Sequence, residues 1–267
     1  MLSSNDLRRR GDRPLLMGIL NVTPDSFSDG GQHFATEAAV EHAFRLVDEG
    51  ADMIDIGGES TRPGATPVPA AEELARLLPV IDRLSDSIGV PLSVDTMKAS
   101  VARACVEHGV DVVNDVSGFS DPDMVSVVAE LQVPLVVMSS YGDPSTFKTR
   151  MIPGDAVVYM RSELERLIGV ARSAGIRDDM IVTDPGIGFG TNPEQGMALV
   201  DHASEFTFDG RYPVLIGPSR KRFLSTFYPE EDPDTATAQV CLRASEAGAD
   251  ILRIHAPGRV KGFFDGF

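Results

Sequence analysis

The chain has 267 residues, of which 42% are hydrophobic, enough for a sizeable core in one large α/β domain. Forty acidic residues against twenty-four basic ones give a formal charge of −16, a surface that repels nucleic acid and anionic lipid. No window reads as a signal peptide, and the apolar run Leu15–Leu20 is too short to span a bilayer, so a cytoplasmic protein is expected.

Apolar, β-rich runs alternate with helical patterns along the whole chain. Strand one is expected at Leu15–Leu20, followed by a loop and a helix near Thr36–Glu49. Met53–Ile56 precedes a helix at Ala70–Ser87, Pro91–Val94 one at Ala99–His108, and Val110–Val113 one at Pro122–Leu131. Pro134–Met138 leads to Asp155–Ala174, and Met180–Thr183 to Pro193–His202. Val214–Ile216 leads to a helix ending near Ala247, and Ile251–Ile254 is strand eight. Eight strands separated by helices are what a (β/α)8 barrel requires, so the expected fold is α/β, a single TIM barrel. Only Ala256–Phe267 follow strand eight, so a short or missing final helix is expected. The domain is expected to cover residues 1–267, with 1–13 as a flexible N-terminal extension. Cys105 and Cys241 fall in helical patterns among alanines and read as reduced core residues.

In such a barrel, reactive groups sit at the C-terminal ends of the strands. Strand one ends in Asn21 and Thr23-Pro24-Asp25-Ser26-Phe27. Strand two ends in Asp55, then Gly57-Gly58-Glu59-Ser60-Thr61-Arg62-Pro63-Gly64. Strand three ends in Asp95-Thr96, strand four in Asn114-Asp115, strand six in Asp184-Pro185-Gly186, and strand seven in Ser219-Arg220-Lys221. Strand eight carries Arg253 and His255 at alternate positions, on one side. Asp115, Asp121 and Thr96 read as caps or Asx turns, and His33, His42, His108 and His202 as surface or packing residues. Arg62, Arg253 and His255 suit a phosphate or pyrophosphate. Asn21 and Asp25 are hard oxygen ligands for Mg²⁺. Asp95, Asn114 and Asp184 make a donor–acceptor wall suited to a nitrogen heterocycle. Residue types alone lead to a barrel enzyme acting on a phosphorylated or pyrophosphorylated heterocycle.

Met17–Gly31 resembles the first loop of the dihydropteroate synthase family. So do Asp55–Gly64, Ser93–Thr96, Asn114–Gly118, Asp184–Gly190 and Ser219–Lys221 in their respective loops. The resemblance implies a transferase of folate synthesis, of the pterin-binding group. It would condense 6-hydroxymethyl-7,8-dihydropterin pyrophosphate with 4-aminobenzoate and release pyrophosphate, and the family is a sulfonamide target. Carried over by motif, Asp95, Asn114, Met138, Asp184, Phe189 and Lys221 would hold the pterin. Asn21, Thr61, Arg62, Arg253 and His255 would hold pyrophosphate, with Mg²⁺ on Asn21 and Asp25. Phe27, Thr61, Pro63 and Ser219 would border the aminobenzoate. Asp95, Lys221, Asn21 and Arg253 would form the catalytic set. Barrel phosphate sites usually follow strands seven and eight, yet the family gives the Ser219-Arg220-Lys221 loop mainly to pterin and aminobenzoate.

The sequence departs from the family in three places. Met138-Ser139 replaces the usual Met-His, Ala256 replaces an Asp after the strand-eight histidine, and the tail is short where the family's last helices help build a homodimer. A paralogue of altered amine specificity, a pterin-dependent methyltransferase and a catalytically silent pterin-binding protein are the alternatives.

Overall fold

The structure is a computed structural model that describes residues 2–11, 13–22, 31–60, 66–142, 146 and 150–265; side chains of 31–34 are not described. Eight parallel strands follow one another around a ring: β1 (Leu15–Asn21), β2 (Met53–Gly57), β3 (Leu92–Asp95), β4 (Val112–Asp115), β5 (Leu135–Met138), β6 (Ile181–Asp184), β7 (Leu215–Ile216) and β8 (Ile251–Ile254). The hydrogen-bonded order is β6-β5-β4-β3-β2-β1-β8-β7. The remaining seam is narrowed by a parallel bridge from Thr183 to Val214, with the Thr183 amide donating to Pro213 O at 2.9 Å. The expected (β/α)8 barrel is therefore the observed fold.

Helices α1 (Gly31–Asp48), α2 (Ala70–Leu84), α3 (Ala99–Glu107), α4 (Met124–Leu131), α5 (Ala156–Ser173) and α6 (Pro193–Asp201) follow strands one to six. α7 (Leu224–Phe227) and α8 (Pro233–Glu246) follow strand seven, separated at the Pro229–Pro233 loop segment that the sequence marks. Each helix turns one apolar stripe inward: α5 buries Ala156, Met160, Leu164, Leu167, Ile168 and Ala171, at spacings of three and four. Its first turn is fastened by Asp155, whose carboxylate accepts from the amides of Val157 (2.8 Å) and Val158 (3.2 Å). α1 begins five residues earlier than the apolar pattern indicated, and α2 ends three earlier.

The strands are apolar on both faces because both are covered. Outward-facing Leu16, Ile54, Leu92, Val113, Val137 and Leu252 pack beneath the helices, and Cys105 and Cys241 lie buried and unbridged in that layer. Inside the ring, Leu15, Met17, Met53, Val112, Val136, Val182, Leu215 and Ile251 fill the lower part.

Two expectations about the ends meet different outcomes. The first residues do not trail as an extension. Ser4–Leu7 form a 3-10 turn whose Leu7, 2% exposed, joins the interior cluster and stops the barrel at its N-terminal end. Arg8 then donates to the carbonyls of Gly210 (2.9 Å) and Arg211 (2.8 Å), and the Arg9 amide to Asp250 at 3.1 Å. The final helix is present and short: α9 (Pro257–Asp265) buries Val260, and Gly258 lies where a Cβ would touch Glu49 at 3.4 Å. No described helix is long and apolar enough to cross a membrane.

Candidate active site

The inward columns of the barrel change character within two residues. Val112 is followed by Asn114, Val136 by Met138, Val182 by Asp184, and Ile251 by Arg253, each pair on one side of its strand. Pairing then sets the rim: Gly57 lies opposite Asp95, Asp95 opposite Asn114, and Met138 opposite Asp184. Apolar side chains below and polar ones above thus form a pocket open at the C-terminal mouth.

Its centre is Arg253. Nε donates to Asp55 Oδ2 and Nη2 to Asp95 Oδ2, both at 2.6 Å. Asp55 is completely buried and also accepts from Ser93 Oγ (2.6 Å) and Asn114 Nδ2 (3.1 Å). Asp55 and Ser93 therefore hold the arginine and the amide in place, a role the sequence reading did not give them. The available signal was position: Asp55 occupies the inward column between Met53 and Gly57. Asn114 presents its Oδ1 buried with no partner, an acceptor that no described residue satisfies.

Lys221 and Asp184 bring a second set of opposite charges to the same mouth, each acting on the other's titration. Lys221 Nζ donates to Ile187 O at 2.5 Å and stands 4.9 Å from the centre of the Phe189 ring. The Asp184 carboxylate accepts from the Gly186 amide at 2.7 Å. That turn needs glycine: Gly186 has φ +68°, and a Cβ there would fall 1.9 Å from Ser139 O. Arg220, in the left-handed region at φ 54°, is held by two bonds to Asp234 at 2.7 and 2.9 Å. Ser219 Oγ meets His255 Nδ1 at 2.9 Å and accepts from the His255 amide at 3.1 Å.

Burial sets the titration of these groups. It raises Asp95 to about 7, against the pull of Arg253, and pushes Asp184 upward, against Lys221. It lowers Lys221 to about 8, against Asp184. Burial also works against the charge on Arg253, but Asp55 and Asp95 overcome it and hold the guanidinium pKa above its usual value. Perturbed groups converging in one concave site mark it as the place where chemistry is done.

The structure thus brings Asp95, Asn114, Met138, Asp184, Lys221 and Arg253 to one end, with Asn21 at the end of β1 opposite Gly57, and Ser219 and His255 beside them. Asp25, Phe27, Thr61, Arg62 and Pro63 lie outside the described residues. Asp115 and Asp121 are turn residues, as expected: Asp115 accepts from the amides of Ser117 and Phe119 (both 2.9 Å), and Asp121 from that of Asp123 (3.0 Å). Thr96 is one too, its hydroxyl accepting from the Lys98 amide at 3.3 Å, and it also donates to the buried Glu73 at 2.8 Å. Ser139, where the family has histidine, is fully buried, with its hydroxyl unpartnered among the described residues. Those residues contain no group of three His, Cys, Asp or Glu side chains poised for a metal.

Residues 17–255 match the family described as pterin binding enzyme. The chain is 47% identical over 92% of its length to a probable bifunctional folylpolyglutamate synthase/dihydropteroate synthase of Halobacterium salinarum, spanning 30% of that longer protein. It is 44% identical to the Bacillus subtilis dihydropteroate synthase, with 91% of this chain and 84% of the relative covered. Its fold superposes with a TM-score of 0.88 on a Xanthomonas albilineans dihydropteroate synthase solved with 4-aminobenzoic acid, at 43% identity, covering 96% of this chain and 92% of that one.

Proposed function

This chain belongs to the dihydropteroate synthases of the pterin-binding enzyme family, transferases of folate synthesis, and from that premise we propose that it joins 6-hydroxymethyl-7,8-dihydropterin pyrophosphate to 4-aminobenzoate. The observation that carries this reading is the buried, unpartnered Oδ1 of Asn114 between the carboxylates of Asp95 and Asp184 along the pocket wall. A pterin presents several N–H donors and ring acceptors along its edges; Asn114 and the two carboxylates would accept from it, and Lys221 would donate to it. Met138 and Phe189 would flank its faces.

In the reaction the C–O bond between the pterin methylene and the diphosphate breaks, and the amine nitrogen bonds to that carbon and loses a proton. Departure of the diphosphate leaves a delocalised cation on the pterin, which the Asp95 carboxylate would stabilise. Arg253 would face the leaving diphosphate with Asn21 and His255, joined by Thr61 and Arg62. Phe27, Thr61, Pro63 and Ser219 would border the aminobenzoate, so sulfonamides should compete there. An aromatic amine is already neutral at pH 7 and needs no strong base. Among the described residues Asn21 offers Mg²⁺ one hard oxygen, with Asp25 the second assigned ligand. That suits an ion bound largely through the substrate's own phosphate oxygens, where it would neutralise the diphosphate's charge.

We place the activity in the cytoplasm, with homodimerisation as in the family. The test is pyrophosphate release on mixing the chain with the pterin pyrophosphate and 4-aminobenzoate. Release that depends on the amine supports the synthase; tight pterin binding without turnover would point to a silent pterin-binding protein.

A further inference from the structure

Strand pairing carries Ser219 to His255. Leu215 pairs with Ile251 and Ile216 with Leu252, and the same register carried on past Ile216 places position 219 beside position 255. The turn that holds Ser219 is fastened from outside the pocket. Lys221 donates its amide to Pro218 O at 3.2 Å. Arg220 donates its amide to Thr237 Oγ1 of α8 at 3.2 Å, and its guanidinium grips Asp234 of the same helix. Ser219 is 7% exposed, so its hydroxyl has to find its partners within the protein.

A hydroxyl owns one hydrogen and two lone pairs. One lone pair of Ser219 Oγ takes the His255 amide at 3.1 Å, and Nδ1 of the same histidine lies 2.9 Å away. Among the described residues Nδ1 is the one acceptor offered to the hydroxyl hydrogen. Were Nδ1 itself to carry a hydrogen, the buried hydroxyl would be left donating to nothing, which costs more than the bond returns. Ser219 therefore donates and Nδ1 accepts, so the hydrogen of the neutral ring sits on Nε2. An anion distinguishes the two forms sharply. A ring bearing Nε2–H donates to a phosphate oxygen, whereas a bare Nε2 turns a lone pair against it.

We propose that Ser219 is a positioning residue for the leaving group: it holds His255 in the tautomer and ring orientation that give the diphosphate an N–H donor. This rests on the synthase reading, which gives His255 to the diphosphate, and the test separates the two. Long-range proton–nitrogen NMR of the substrate-free chain at about pH 8, above the ordinary histidine range, shows which ring nitrogen carries hydrogen. The His255 signals are identified by their absence from His255→Ala. The wild-type ring should carry its hydrogen on Nε2, with Nδ1 bare and hydrogen-bonded. Ser219→Ala should give signals averaged between tautomers, and Ser219→Thr should restore the wild-type pattern. Inorganic pyrophosphate with Mg²⁺, and no amine, is the second probe. S219A should raise its Kd about 5-fold or more and S219T should recover most of that, while the Kd for 6-hydroxymethyl-7,8-dihydropterin stays within about 2-fold. In H255A, adding S219A should change the pyrophosphate Kd by less than about 2-fold, because a residue acting through the ring has nothing left to act on. Hydrogen on Nδ1 in the wild type, an unchanged pyrophosphate Kd in S219A, or losses that add in the double variant overturns the proposal. If S219A fails to fold, Ser219→Cys, a weaker donor of similar size, takes its place. A chain without turnover sinks the synthase reading, whereas the double variant still judges Ser219: non-additive losses uphold it, additive ones refute it.

Discussion

Two side chains at the pocket set opposite limits on pH. Asp95, raised to about 7, has to be ionised to face a cation, and Lys221, lowered to about 8, has to be protonated to donate. A plot of kcat/KM against pH should therefore be a narrow bell with limbs near those values. Stability should run the other way. Between the ordinary carboxyl value of 3.8 and about 7 the folded chain keeps a proton on Asp95 that the unfolded chain has released, so stability falls as pH rises. From about 8 to 10.5 the folded chain lacks a proton on Lys221 that the unfolded chain holds, so stability climbs with pH. The working charge state is then the one these two groups favour least in the fold. Melting temperature measured from pH 4 to pH 7 should decline less in Asp95→Asn than in the native chain. Replacing Lys221 by alanine should lower kcat/KM by at least ~100-fold with the circular dichroism spectrum unaltered, since a donor aimed at the reacting molecule is worth that much; near-native rates would remove Lys221 from the site. Lys221 was legible in the sequence because it stands in the Ser219-Arg220-Lys221 segment that resembles the family, and Asp95 because it ends an apolar run. Asp55 was visible in the same way but carried no assigned role. Its bonds to Asn114 and Arg253 join positions 59 and 198 residues apart, which no local pattern encodes.

At the level of strands and helices, alternation of apolar runs with amphipathic segments was sufficient to place every strand within a residue or two. Boundaries were missed by a few residues: α1 starts at Gly31, ahead of its apolar pattern, and α2 stops at Leu84. Caps can be tested separately from chemistry. Asp155→Ala, which removes the cap of α5 and touches no assigned pocket residue, should lower unfolding free energy by about 1 kcal/mol in urea and leave kcat and KM unchanged. A loss of turnover without loss of stability would mean that α5 communicates with the site. The pairing of Ser219 with His255 escaped sequence reading for the same reason as Asp55, because the two are 36 residues apart.

For the molecule as a whole, a formal charge of −16 means that the folded surface repels itself. Exposed pairs such as Arg83–Glu37 and Arg103–Glu130 recover little of that. Added salt shortens the range of repulsion from about 30 Å at 0.01 M to about 3 Å at 1 M. Melting temperature should accordingly rise by several degrees between low salt and 1 M potassium chloride; a flat or falling curve would show that the acidic residues are not a net burden on the fold. The N-terminal residues, expected as a flexible extension, are tied down by Arg8 and Arg9, which bond to backbone carbonyls across the barrel base at separations of 202 to 236 residues that no local pattern encodes.

The stopper formed by Leu7 has a kinetic corollary. With the floor shut among the described residues, the C-terminal doorway is left for traffic, and a molecule standing in it would block any other lodged beneath. On the proposed reading the bicyclic partner would therefore arrive before the ring amine takes its place overhead, and the joined product would back out along the way its first half came in.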